Sequence, residues 1–227
     1  MNSDRVSTVS LLRKITVMLL VCMLIMSQLS PAFAQVKKPD ITAKSGIVYC
    51  QNTGSIVYSK NKDKKLSPYS TTKLLTALLA AQSLSLDKEV EISAEAAAEG
   101  ESTMNLVEGE VVTVRDLLYG TLLLSGNDAA YALAEAVSGN KNKFVKLMNK
   151  TAKNIGCENT HFANPNGMQE DDHYTTAYDL MLITKAALSN DTVREIAGTK
   201  KYKMAATNMS EEREMKSHLP LIKNNDY

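Results

Sequence analysis

The sequence predicts a mixed α/β fold of the α+β kind, its strands and helices segregated along the chain. Three observations carry this. A hairpin pattern lies near the start, Ile47-Val48-Tyr49-Cys50 and Ser55-Ile56-Val57-Tyr58-Ser59 around a turn with Gly54. Apolar or amphipathic helical stretches follow from residue 74 to residue 188, bounded by caps or glycines. One short alternating stretch, Glu89-Val90-Glu91-Ile92, falls among them.

The leader comes first. Arg5, Arg13 and Lys14 precede an apolar run from Ile15 to Met26, and Ala32-Phe33-Ala34 offers a small-x-small cleavage site. This is a signal-peptide pattern. Residues 1–34 are expected to be cut off near Ala34, leaving residues 35–227 as an exported, extracytoplasmic domain. The apolar core is short for a membrane span, which takes about 20 residues. Cys22 follows Leu19-Leu20-Val21 and lacks the small residue a lipidation site needs before its cysteine. Charge is near balance, 26 Lys+Arg against 25 Asp+Glu, which argues against a nucleic-acid partner. The lysines between Lys60 and Lys65 read as a solvated turn. The length suits one domain, or one domain with a helical lobe.

Past the hairpin, Leu74–Ala81 is apolar almost all round, so a helix there is expected to be buried. A small helix or loop around Ala94–Ala98 should end at Gly100. Thr113-Val114-Arg115-Asp116 resembles a capping box with Asp in place of Glu, opening the apolar helix Val114–Leu124. Asp128 is expected to start the next helix, which ends at Ser138-Gly139. Lys141–Ile155 places Phe144, Leu147, Met148 and Ala152 on one side and closes at Gly156. Asn164-Pro165-Asn166-Gly167 marks a loop. Thr176 and Asp179 cap a last helix to about Leu188. After the leader, Cys50 and Cys157 remain, and either a disulfide or two separate thiols is compatible with export. Cys157, His161 and His173 match no standard zinc spacing, so neither metal nor cofactor is expected.

Chemistry concentrates at Ser70-Thr71-Thr72-Lys73. With Ser70 in the first turn of the buried helix, Lys73 lies on the same face, about 5–6 Å away at Cβ. Desolvation disfavours the ammonium, so the lysine can take the hydroxyl proton and make Ser70 a nucleophile without histidine. The same spacing recurs at Ser59/Lys62, Ser85/Lys88 and Ser138/Lys141, all in polar stretches without a burying helix. A second motif, Ser125-Gly126-Asn127, sits at a junction of two apolar helices. It would aim a hydroxyl and an amide at one cleft, or simply stop one helix and cap the next. A similar Ser138-Gly139-Asn140 reads as a plain helix end.

Together the two motifs resemble the penicillin-recognising serine acyl-transferases, marked by S-x-x-K, S-x-N and K-T-G. The sequence is most similar to the D-alanyl-D-alanine carboxypeptidases of peptidase family S11, the low-molecular-weight penicillin-binding proteins. The resemblance runs through Thr53-Gly54, Ser70–Lys73, Leu117–Gly120, Leu122–Ala130, Phe144-Val145, Met148-Asn149, Asn159–Phe162, Asn164–Gly167 and His173–Leu180. It implies a serine β-lactamase/DD-peptidase-like fold: an antiparallel sheet flanked by helices, plus an all-helical lobe over roughly residues 90–190. The hairpin and a stretch near Lys200–Met204 would belong to that sheet. It implies that Ser70 attacks the peptide carbonyl, Lys73 is the general base, Ser125 relays a proton and Asn127 binds Lys73 or the substrate amide. The implied partners are peptidoglycan stem pentapeptides, which lose their terminal D-alanine, and β-lactam antibiotics as covalent inhibitors.

Two departures stand out. Cys50 replaces an acid usual in the hairpin. The only K-[ST]-G is Lys44-Ser45-Gly46, ahead of the first strand rather than after the other motifs. The resemblance puts the third motif, later sheet strands and any membrane-surface anchor beyond Tyr227. The catalytic domain is therefore expected to be incomplete, with exposed apolar surface and doubtful activity. A non-catalytic β-lactam- or wall-binding module and a fragment are the competing readings. A serine β-lactamase is another, but its E-x-x-L-N deacylation pattern is missing.

Overall fold

The computed structural model describes residues 13–23 and 39–223. Residues 1–41 and 42–227 form two separate units. In the first, residues 13–23 are helical, with Met18 and Met23 65% and 72% exposed. No described helix is long and apolar enough to cross a membrane. The expected cleavage site near Ala34 lies outside the described residues.

The second unit opens with β1 (Gly46–Cys50) and β2 (Ser55–Lys60), antiparallel, with a register shift between Val48 and Tyr49. Gly54 closes the turn at φ +68°, a conformation costly for any residue with a Cβ. A 3-10 turn over Tyr69–Thr72 then runs into α1 (Lys73–Ser83). Ser70 therefore lies in this turn and not in the first turn of the α-helix. Leu75, Leu78 and Leu79 of α1 are buried, each contributing about 1.5–3 kcal/mol by leaving water. β3 (Glu89–Glu91) pairs with β4 (Val111–Thr113) and buries Val90 against Val112. The short α2 (Ala94–Ala97) lies in the connection, its N-terminus capped by Ser93.

α3 (Val114–Leu123) begins with the complete Thr113/Asp116 capping box. α4 (Asn127–Ser138) follows after only a three-residue break and ends at left-handed Gly139. These helices approach closely at Gly120, where a Cβ would stand 3.3 Å from the Ala129 methyl and would also clash with the Met104 sulfur of the preceding loop. α5 (Lys141–Ile155), α6 (Ala177–Leu188) and α7 (Asp191–Ala197) are capped by Asn140, Thr176 and Asn190. α1 sits at the centre of this helical layer, packed against α3, α4 and α6.

β5 (Lys201–Met204) pairs with β6 (Arg213–Lys216) and not with the hairpin. The stretch near residue 200 therefore does not extend the hairpin's sheet; the described strands form three separate antiparallel pairs. β5 and β6 are tied to the helices instead. Tyr202 stacks on Tyr119 with centroids 3.7 Å apart, and its hydroxyl donates to Asp116 at 2.8 Å. Arg213 donates to the fully buried Glu110 carboxylate at 2.7 and 2.9 Å. Burial alone would raise the Glu110 pKa; hydrogen bonds from Arg213, Thr207 and the Val107 amide outweigh it and hold it low.

Cys50 and Cys157 are both free thiols, which resolves the disulfide alternative; burial pushes Cys157 up to about 12. Cys157, His161 and His173 have separate hydrogen-bond partners: the Asp179 carbonyl, the Asp172 carbonyl, and Thr72 with the Ala163 amide. No cluster of potential metal ligands occurs among the described residues.

Candidate active site

Three segments far apart in sequence meet at α1. The first is the 3-10 turn. Pro68 fixes its own φ and accepts from the Thr71 amide and hydroxyl, at 3.2 and 2.6 Å. Tyr69 has φ +47°, unusual for an aromatic residue, and is 58% exposed. Ser70 is exposed, whereas Lys73 is only 2% exposed. The turn therefore presents the hydroxyl to solvent while the helix carries the amine inward.

Lys73 Nζ donates to Ser70 Oγ at 3.3 Å, to Asn127 Oδ1 at 2.7 Å and to the Asn166 carbonyl at 2.6 Å. An ammonium has three donors, and each has an acceptor here. The serine contact is the longest, so it is the bond most easily reversed when the amine accepts rather than donates. Burial lowers the Lys73 pKa to about 8, opposed by the negative charges of Asp128, Glu101 and Glu99.

The second segment is the junction of α3 and α4. Gly126 is the α4 N-cap and Ser125 has φ +58°. Asn127, 3% exposed, has its amide oxygen fixed on Lys73 because its nitrogen donates to the Gly100 carbonyl at 2.8 Å. Ser125 is half-buried, and no described hydrogen bond involves its hydroxyl. The sequence-predicted residues Ser70, Lys73 and Asn127 thus form one bonded cluster, while Ser125 lies two residues from Asn127 with no bond into it. Asp128, next along, accepts the amides of Met104 and Leu106 at 3.0–3.1 Å and so secures the loop that leads to β4.

The third segment is the Asn164–Met168 loop, which the sequence marks only as a turn rich in Asn, Pro and Gly. Asn164 accepts from the Gly167 amide at 2.7 Å, and Thr76 of α1 donates to the Pro165 carbonyl at 2.6 Å. Gly167 has φ +90°, and a Cβ there would lie 1.9 Å from the Tyr69 carbonyl oxygen and 2.9 Å from Ser70 N. Only glycine lets the loop lie against the serine's own peptide. Behind it, Ala163 N–H donates to His173 Nδ1 at 3.1 Å, so Nε2 carries the proton and donates to Thr72 Oγ1 at 2.8 Å. Burial drives His173 down to about 4, keeping it neutral.

Tyr69, Ser70, Glu101, Ser102, Asn127 and Asn166–Gln169 line a cleft of about 240 Å³ over the serine. No Lys or Arg is among the described residues of its lining. Lys44-Ser45-Gly46 lies off this cleft. Ser45 and Gly46 line a separate groove against α6, and Lys44 and Ser45 are bonded to Asn61.

An exposed hydroxyl on a buried, hydrogen-bonded lysine, in a helical layer with short antiparallel strands, is the arrangement a protein of the serine–lysine class requires. The comparisons narrow it. A model of the family described as D-alanyl-D-alanine carboxypeptidase, peptidase S11, matches residues 32–226, and the chain belongs to that family. It is 41% identical over 162 residues to D-alanyl-D-alanine carboxypeptidase DacF of Bacillus subtilis, 69% of this chain and 42% of that one. It is 40% identical over 185 residues to a D-alanyl-D-alanine carboxypeptidase of Streptomyces sp. strain K15, 76% of this chain and 63% of that one. The crystal structure of the Streptomyces K15 DD-transpeptidase superposes with TM-score 0.77 at 35% identity, covering 84% of this chain and 79% of that one. The chain thus spans 42% and 63% of the length of these two curated relatives.

Proposed function

We propose that the chain is the catalytic part of a serine-type D-alanyl-D-alanine carboxypeptidase, removing the terminal D-alanine from peptidoglycan stem pentapeptides. The observation supporting this most directly is Lys73, buried behind an exposed Ser70 and held by Asn127 and the Asn166 carbonyl. With a pKa of about 8, about a tenth of the lysine is neutral at pH 7. The neutral amine takes the Ser70 proton as Oγ bonds to the substrate carbonyl carbon. The peptide C–N bond then breaks as Ser125 relays the proton held by Lys73 to the departing D-alanine nitrogen, which leaves the lysine neutral again. Lys73 next takes a proton from the water that attacks the ester and passes it to Ser70 Oγ as the ester C–O bond breaks, freeing the shortened peptide's carboxylate. The Ser70 amide is one oxyanion donor, and Asn127 holds the lysine or the substrate amide.

The partners proposed are stem peptides and, as covalent inhibitors, β-lactams. Arg13 and Lys14, which open the helix over residues 13–23 ahead of the apolar run from Ile15, support a signal peptide cut near Ala34 and a place in the cell envelope, with residues 35–227 as the exported domain and roughly 90–190 as its helical lobe.

The decisive experiment is labelling with a fluorescent penicillin. A covalent adduct that disappears in Ser70→Ala is expected; an adduct that persists in that variant would sink the proposal. No Lys or Arg is among the described residues that line the cleft, and this supports a second reading, acylation without efficient peptide turnover. On that reading penicillin labels Ser70 while D-alanine release from a pentapeptide stays slow, which a D-alanine release assay on the same protein measures. An adduct with no measurable D-alanine release would favour a β-lactam-binding module.

A further inference from the structure

Asn166 has two jobs that pull on different atoms. Its carbonyl accepts from Lys73 at 2.6 Å, while its side-chain nitrogen donates to Glu99 Oε2 at 2.8 Å and its side-chain oxygen accepts from the Met168 amide at 3.2 Å. Glu99 sits just past α2, half-buried, at the end of an alanine-rich stretch. It thus stands one residue removed from the lysine, joined to it by a continuous path of two hydrogen bonds. Truncating it would leave the Asn166 side chain held only by the Met168 amide, and the peptide carrying the carbonyl would lose one of its two side-chain anchors.

We propose that Glu99 is a positioning residue of this site: through Asn166 it fixes the carbonyl that grips Lys73, and its negative charge balances the buried ammonium. The inference rests on the reading of Lys73 as the working amine but concerns how that amine is held. The charged groups around the pair belong to several elements. Asp128 on α4 and Glu101 on the cleft rim also face Lys73. Lys141 on α5 faces Glu99 and Glu170, and the Tyr131 hydroxyl on α4 feels Glu99 together with Glu95 and Glu135. Glu99 differs from Asp128 in how it is placed. The Asp128 carboxylate is spent on backbone amides, whereas a described hydrogen bond of the Glu99 carboxylate leads to the residue that contacts the lysine. Burial raises the Glu99 pKa, as expected for an acid drawn partly out of water.

Two substitutions separate the two effects. Glu99→Gln keeps an oxygen to accept from Asn166 and removes only the charge; Glu99→Ala removes both. In full-length protein carrying lysine labelled with ¹³C at Cε, the Lys73 signal is assigned by its loss in Lys73→Met and followed against pH. Glu99→Gln is expected to move the Lys73 titration to lower pH, because an attractive charge is gone. Glu99→Ala is expected also to speed hydrogen exchange of the Met168 amide about five- to tenfold, the size of one lost hydrogen bond, while Glu99→Gln leaves it near wild type. An unmoved Lys73 titration in Glu99→Gln, or wild-type exchange at Met168 in Glu99→Ala, overturns the proposal. Neither readout needs turnover. Shifted readouts in a protein that no penicillin labels would therefore overturn the proposed activity and leave the role of Glu99 standing.

Discussion

The corner around Lys73 and the β1–β2 hairpin are built on opposite terms. At the corner, a lysine, two asparagines, a neutral histidine and two threonines all point inward, and the described polar atoms find partners. On the hairpin, Val48, Ile56 and Val57 are apolar yet 53%, 39% and 69% exposed. Beside it, Ile47 and Tyr49 face Leu180, Met181 and Leu188 across an apolar groove of about 430 Å³. Burial without charge partners would make the corner costly; hydrogen bonds reaching across the chain make it tolerable. The hairpin's pairing is local and its outward side chains contribute little. Perturbations should therefore be felt sharply at the corner and weakly at the hairpin.

The largest expected effect is from Gly167→Ala. Its methyl group meets the Tyr69 carbonyl, and its φ is one that side chains resist, so more than about 3 kcal/mol should be lost. Urea denaturation should show the loss, and penicillin labelling should vanish even in the fraction that stays folded. A near-wild-type midpoint would mean that the loop can retreat from Ser70 at little cost.

Acid should act on the corner through His173. Its folded pKa is about 4 against an ordinary 6.5, so its contribution is complete above pH 6.5 and is lost as pH falls towards 4. Wild-type stability should decline more steeply than that of His173→Gln across this window, and parallel curves would contradict it. Base should act through Lys73. Its pKa is about 8 when folded and 10.5 ordinarily, so the unfolded chain binds more protons between those values and stability rises with pH there. Lys73→Met should lack that rise. At the other extreme, Val57→Lys on the hairpin should change stability by no more than about 0.5 kcal/mol. A larger loss would show that something covers that face.

Much of this was legible in the sequence because local chemistry dictated it. The Thr113/Asp116 box, the amphipathic Lys141–Ile155 helix and the Thr176 cap each follow from residues within four positions of one another. So does the Ser70/Lys73 pairing, although Pro68 and Tyr69 tighten the serine into a 3-10 turn that an apolar run does not announce. The Asn166 carbonyl was not legible, since any residue supplies a backbone oxygen and nothing in its side chain marks it as a lysine partner. β6 was hidden for another reason. Arg213-Glu214-Met215-Lys216 is mostly charged, and it becomes a strand through its pairing with β5 and the reach of Arg213 to a buried acid.

The grip of Asn166 on Lys73 spans 93 residues. At about 5–20 residues per second, a ribosome takes roughly 5–20 seconds to pass from one to the other. Throughout that interval Lys73 has no Asn166 carbonyl to accept from it. On the role proposed for Ser70, its activation is timed by synthesis: a nascent chain is not acylated until the loop carrying Asn166 and Gly167 has emerged. A chain ending before that loop would carry the whole S-x-x-K motif with no chemistry attached to it.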